Sequence, residues 1–478
     1  MADLSYDAKI KEWISNNKDE IIENWIEIAK IPAIKGEPQD GAPFGKACAD
    51  ALNACSEVFR KFGFDSEICS DGKYALAKHG DGEKTIGIFS HSDVVPVCEE
   101  DWIYTKPFEP KVIDGTLIGR GVEDNKSGVM AALCAMRIIK ECNIPVKSKL
   151  VTFIGAEEET GMSDIEAFVN EQPMPDVSIV PDADFPCSIG EKGIYHYWAK
   201  CGKKLTQIED FCGGEAFNIV LDKVTVKIKS TDEIKKELEE KTSQNEAFSI
   251  SEANDILTLT SKGLAKHACE PEGSVNAAYL AAELLSEIES LPDSDREIMN
   301  EAKTILACPF GTSMGLDHDD IRFGKLTFVN GQAAVEDGFL KLSFDTRYGS
   351  TLAGDVLENN VTTSFGNLGW SVETNSHSEG FSIADDSPIP QALEEVFHSV
   401  TGFDQKAIRL GGGTYARKLN NAFSVGTFIM RADRKTPFME MPAGHGGAHQ
   451  ADEKIDLEGF FDAVRIITQY IINIDIVY

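Results

Sequence analysis

The chain has 478 residues, 42% of them hydrophobic and 26% charged, which suits a globular protein with more than one core. Its 46 Lys and Arg stand against 79 Asp and Glu, and the net charge of -33 argues against nucleic acid as a partner while attracting cations. No apolar run approaches the ~20 residues of a membrane helix, the start "MADLSYDAKIKEW" has no signal-peptide pattern, and eleven cysteines without a C-x-x-C pair read as reduced thiols, so a cytoplasmic protein is expected.

The stretch to about Ile34 carries Trp13, Ile14, Ile21, Ile22, Trp25, Ile26 and Ile28 at helical spacing. "TIGIFSHSDVVPV" (Thr85–Val97) opens as a buried strand and ends on His91 and Asp93, two residues apart and so on one face. "SGVMAALCAMRIIKEC" predicts a helix over Ser127–Cys142, "KLVTFIGA" a strand over Lys149–Ala156, and "VSIV" another over Val177–Val180. Strand–helix–strand alternation means a mostly parallel sheet flanked by helices, where function collects at the carboxyl ends of the strands. From about 192 to 384 the pattern changes to short strands ("VTVKIKS", "DILTLTSKG", "GFLKLSFDTRY") and two helices, and Glu239–Glu246 reads as a loop. Helix and strand patterns resume after Pro388. The expectation is an α/β domain of residues 1–191 and 385–478, interrupted by an α+β lid of residues 192–384.

Five segments put acids or histidines where strands should end: His91-x-Asp93, "GRGVEDNKSG" with Asp124, "GAEEETG" with Glu157, Glu158 and Glu159, "VPDADFP" with Asp182 and Asp184, and "GHGGAHQADE" with His445 and His449. Each alone has an ordinary explanation, as helix cap, acidic turn or surface histidine. Together they gather like charges that must be neutralised, and a pair of divalent cations does so. Histidine and carboxylate donors without cysteine pairs suit zinc, manganese or cobalt.

"HSDVVP", "GRGVEDNKSG", "EEETG", "PDADFP" followed by "GEKG", and "HQADE" resemble, in order and spacing, the M20 family of metallopeptidases, and most of all its bacterial dipeptidase branch, the PepV-type Xaa-His dipeptidases. The resemblance implies a phosphorylase/hydrolase-like zinc-peptidase domain with an inserted lid of two subdomains. It implies that His91 and Asp182 hold one metal, Glu159 and His449 the other, and that Asp124 bridges both, with a cis peptide often following at Asp124–Asn125. Asp93 then orients His91, and Glu158 is the general base that takes a proton from a metal-activated water and passes it to the leaving amine. His267 in "GLAKHACEPEGSVNA" matches the lid histidine that stabilises the transition state. Asn218 matches a substrate or oxyanion position, and Arg347 in "FDTRY" matches the arginine that grips the substrate carboxylate. Gly413 and Thr414 in "GGGTYAR" match the substrate loop.

Within the family, Asp at the position of Asp182 goes with enzymes acting at a free N-terminus, and Glu with carboxypeptidases and acylases. The resemblance therefore implies small dipeptides as substrates, with Asp184 a second acid for the substrate ammonium, and a monomer, although a homodimer stays open. Two other readings stand beside it: an M20-type deacylase or desuccinylase acting on N-acyl amino acids, and a non-catalytic metal-binding homologue, against which the base Glu158 speaks. Cys98, Cys187 and Cys269 lie near the candidate residues in sequence, which raises the prospect of oxidation sensitivity.

Overall fold

The computed structural model describes residues 2–430, 439–442 and 444–478. The chain divides into two compact units, the first of residues 1–189, 383–408 and 414–478, the second of residues 190–382 and 409–413.

The first unit begins with helices α1 (Asp7–Ala29) and α2 (Lys46–Lys61), followed by strands β1 (Asp65–Cys69), β2 (Tyr74–His79) and β3 (Thr85–His91). A small hairpin of β4 (Lys111–Ile113) and β5 (Thr116–Ile118) precedes α3 (Lys126–Glu141), β6 (Lys149–Gly155), α4 (Ser163–Glu171) and β7 (Val177–Ala183). The main sheet runs β1-β2-β6-β3-β7 and then Ala422–Gly426. β6, β3, β7 and Ala422–Gly426 are parallel neighbours, and β1 and β2 extend them antiparallel. β3 and β6 are buried along nearly their whole length, which is why both read as continuous apolar runs rather than alternating ones. α3 is buried on every side from Lys126 to Ile139 and packs with the C-terminal helix Leu457–Val477. Phe89 and Phe153 stand opposite each other in register and stack at 5.2 Å. The Tyr415 ring meets Phe153 edge-on at 5.3 Å and the His91 ring at 6.3 Å.

The second unit holds two antiparallel four-stranded sheets. One runs Thr327–Glu336, Phe339–Tyr348, Gly193–Lys204, Trp370–Ser378, and the other Ile208–Cys212, Lys223–Lys229, Ile256–Lys262, Phe248–Ala253. Its core is rich in rings, among them Tyr197, Phe328, Phe344 and Phe365. A helix, Asp232–Thr242, covers the start of the stretch that the sequence reads as a loop. It buries just Ile234 and Leu238, and Thr231 caps it by accepting from the Ile234 N–H, so its apolar stripe is too narrow to stand out in the sequence. Among the described residues no helix is long and apolar enough to cross a membrane.

One buried carboxylate pins a turn of the second unit. Asp295 accepts from the Thr206 N–H and hydroxyl through Oδ1, at 2.9 and 2.8 Å, and from the Gln207 and Ile208 N–H groups through Oδ2, at 2.8 and 2.9 Å. Asp295→Ala strands these donors and is expected to cost about 2–4 kcal/mol, read as a lower urea midpoint for unfolding.

Candidate metal centre

Three parallel strands deliver five of the candidate residues, His91, Asp93, Glu158, Glu159 and Asp182, to one edge of the main sheet. His91 is the last residue of β3, the three glutamates follow β6, and Asp182 lies inside β7, one residue before its end. Asp124 departs from the sequence expectation, since it follows no strand of the main sheet. It sits in the turn after β5, a strand of a separate three-stranded sheet made of Lys454–Asp456, β5 and β4. A short hairpin is too brief to signal itself as strands in sequence. Its pairing also brings His449, five residues before Lys454, to the same edge as Asp124. The Asp124–Asn125 peptide is cis.

The side chains converge. His91 Nε2 lies 3.1 Å from Asp124 Oδ1 and 3.9 Å from Asp182 Oδ2. His449 Nε2 lies 3.2 Å from Asp124 Oδ2 and 3.1 Å from Glu159 Oε2. Asp124 thus turns one oxygen to each imidazole. Ligand atoms of His91, Asp124 and Glu159 lie within 4.8 Å of one another, as do those of His91, Glu158 and Asp182. His91 Nδ1 faces the Asp93 carbonyl oxygen at 3.1 Å and its Oδ1 at 3.4 Å. That leaves Nε2 as the free donor atom of a neutral ring. Asp93 also accepts from the Glu158 and Glu159 N–H groups, one to each oxygen, both at 3.2 Å, so one buried carboxylate orients three of the candidate residues.

The electrostatics demand compensation. Burial, joined by the charges of Asp182, Glu159 and Asp124, holds Glu158 well above the usual carboxylate range against the pull of His91. Burial and Asp124 push Glu159 up to about 7. Burial alone would lower both imidazoles, but the facing carboxylates outweigh it and raise them. Among the described residues, two buried atoms in this cluster, His91 Nε2 and Glu159 Oε1, make no hydrogen bond; the 3.1 Å approach of Nε2 to Asp124 is not aligned for one. Orphaned donors of this kind, set among hard oxygen and imidazole ligands, fit divalent cations.

Several residues that sequence reasoning left without a role hold this cluster. Asn125 Nδ2 donates to Asp182 Oδ1 at 2.7 Å and to the Pro181 carbonyl at 2.6 Å. Buried Asp164 accepts from the Ala156 and Glu157 N–H groups at 2.8 and 2.9 Å and from the Tyr415 hydroxyl at 2.5 Å, shaping the turn that carries Glu158 and Glu159. Glu157 turns away to Lys35 and to the Ser163 N–H and hydroxyl. Glu453, the last residue of "HQADE", binds the loop that carries Asp124. The signal for these was present as polar residues close to candidate ligands, but no spacing rule tells such supports from solvent-facing ones. His445 Nδ1 meets Asp452 Oδ2 at 2.7 Å, so the other histidine of this segment is engaged. Asp184 is exposed.

The remaining candidates belong to the second unit, except Thr414. His267 is exposed; the Cys269 N–H donates to its Nδ1 at 3.2 Å, and the Cys269 sulfur lies 2.8 Å from the same atom. That places the proton of the neutral ring on Nε2. Asn218 is next to His267 in space, its carbonyl accepting from the Ala268 N–H at 2.8 Å. Arg347 is buried and engaged, with Nη2 3.0 Å from Asp345 Oδ2 and Nη1 donating to the Gly411 carbonyl at 2.9 Å, two residues from Gly413. In the first unit, Thr414 is buried, pairs its hydroxyl with Ser424 Oγ at 2.8 Å and caps the turn after it.

Residues 87–473 match peptidase family M20/M25/M40, whose members use a dinuclear divalent metal site. Among curated proteins, "Putative dipeptidase YtjP" of Bacillus subtilis is 27% identical, with 96% of this chain and 98% of the relative covered. Among solved structures, human carnosine dipeptidase 1 superposes with a TM-score of 0.62 at 14% identity, covering 98% of this chain and 99% of the other. The di-peptidase Dug1p of Saccharomyces cerevisiae gives 0.61 at 15% identity, covering 98% of both chains. The structural likeness carries the fold and the family match carries the chemistry: the chain belongs to peptidase family M20/M25/M40 and is a hydrolase acting on peptide bonds.

Proposed function

We propose that this protein is a di-metal dipeptidase of the PepV-like branch, cleaving short peptides with a free N-terminus in the cytoplasm. The observation that carries this reading is the Asp124 carboxylate, with one oxygen 3.1 Å from His91 Nε2 and the other 3.2 Å from His449 Nε2. That is where a bridging ligand belongs. His91 and Asp182 would hold one ion, Glu159 and His449 the second, and Asp124 both, with zinc the first choice for this donor set. When bound, the ions supply Lewis acidity, which acidifies water and polarises a carbonyl.

The chain's own residues do the rest. Glu158 is held beside Glu159 by the Asp93 carboxylate, so one side chain can serve as ligand while its neighbour moves a proton. It is placed to collect a proton from water and deliver it to the leaving amine. His267 carries its ring proton on Nε2, as a donor to a developing oxyanion requires. Arg347 is pre-oriented by Asp345 and enters the reading as the grip on the substrate carboxylate, with Asn218, Gly413 and Thr414 as further substrate contacts on the family resemblance. Asp182, rather than Glu, favours a free substrate ammonium over an acylated amine, with Asp184 as a second acid. Residues 192–384 are read as the inserted lid of two subdomains, which favours a monomer.

The test is hydrolysis of a dipeptide panel with N-acetylated and C-amidated controls. Free dipeptides are expected to be cleaved and both blocked forms to resist; cleavage of the N-acetylated compounds instead would make this a deacylase. Glu158→Ala is expected to lower kcat by about 10²–10⁴-fold while still binding metal. Adding zinc or manganese to the metal-free protein should raise Tm, each ion adding about 2.7 kcal/mol of stability at a hundred times its Kd. Asp124→Ala should abolish most of that shift.

A further inference from the structure

Glu453 is fully buried, yet nothing in the reaction calls for it directly. Its Oε1 accepts from the Glu123 and Asp124 N–H groups at 2.8 and 3.0 Å. Its Oε2 accepts from the Gly121 N–H at 2.8 Å and from Arg120 Nη1 at 2.7 Å. Its carbonyl accepts from the Gly119 N–H at 2.9 Å. One side chain therefore takes four donors from a single loop, the last in chain order being the amide of Asp124 itself.

The other end of the pair reaches the opposite ligand. Arg120 Nη2 donates to the His449 carbonyl at 3.3 Å, and Arg120 is itself buried, with its guanidinium 5.6 Å from the Trp102 ring. His449 and Asp452 both adopt left-handed backbone, with φ of 63° and 51°. Such a conformation costs energy for a residue with a Cβ and persists where the surroundings hold it. Here the Asp452 carboxylate binds the Ile103 and Tyr104 N–H groups, at distances from 2.9 to 3.1 Å, and the Glu453–Arg120 pair closes the turn from the other side.

We infer that Glu453 is a positioning residue for the metal centre: with Arg120 it locks Asp124 and His449 to each other, so that the shared carboxylate and the imidazole it faces are set before any ion arrives. A carboxylate suits this task where an amide does not. All of its partners are donors, and the NH₂ of a glutamine would face at least one of them. Removing such outer support typically costs 10–100-fold in metal affinity. The inference rests on the di-metal reading above.

The test is direct titration of manganese and of zinc into the metal-free protein, with Asp124→Ala as the check on the metal site. Wild type should bind two ions and Asp124→Ala should lose them. Glu453→Gln should bind at least one ion 10–100-fold more weakly. Glu453→Asp keeps the charge against Arg120 but shortens the reach; it should fall between Glu453→Gln and wild type. Unfolding of the metal-free variants is measured alongside, because a merely structural role would lower the midpoint and leave affinity unchanged. Variants that bind both ions as tightly as wild type overturn the inference while leaving the di-metal reading intact. Wild type that binds no ion removes that reading, and the inference with it.

Discussion

Four carboxylates, those of Asp124, Glu158, Glu159 and Asp182, meet two imidazoles at the carboxyl edge of the first unit's sheet, and repulsion among the carboxylates governs their surroundings. Two like charges 4 Å apart at an effective dielectric near 20 repel by about 4 kcal/mol. The protein meets their charge with imidazoles, and among the described residues His91 Nε2 and Glu159 Oε1 have no hydrogen-bond partner. A centre built in this way is stable when positive charge sits inside it, and that is the physical content of a divalent metal site.

Holding repelling groups together requires supports that do not move. Most of these supports act on backbone rather than on side chains. Asp93 binds the amides of Glu158 and Glu159, Asp164 those of Ala156 and Glu157, and Glu453 those of Gly121, Glu123 and Asp124. Each is a buried acid that accepts several N–H donors and so fixes a loop. Asn125 does the same for the Asp182 side chain. The centre is a double layer of carboxylates: an inner set facing the two imidazoles and an outer set facing amides.

Much of this was legible in the chain itself. His91 with Asp93 and the triple glutamate stood at strand ends, because buried parallel strands write themselves as apolar runs and the residues just past such a run lie at the sheet's edge. The short hairpin β4–β5 and the helix Asp232–Thr242 were not legible, since three-residue strands and a two-residue apolar stripe lie below the resolution of periodicity. The supports Asn125, Asp164 and Glu453 were invisible for a different reason: a buried acid or amide bound to its neighbours and a solvated one look identical in sequence.

What the sequence by itself determined is residue type and order: acids and histidines in a fixed succession, with His91, the three glutamates and Asp182 at the ends of apolar runs of an α/β unit. Local pattern suffices for that, because burial and side-chain type are written residue by residue. What only the tertiary structure decided is juxtaposition. Asp124 and Asp182 are 58 positions apart and His449 lies far beyond both, yet pairing of Lys454–Asp456 with β5 sets His449 against Asp124, and the cis bond and left-handed residues lie where these segments meet. Such contacts depend on register between strands remote in sequence, and register is settled by packing of the whole sheet rather than by any one stretch of the chain.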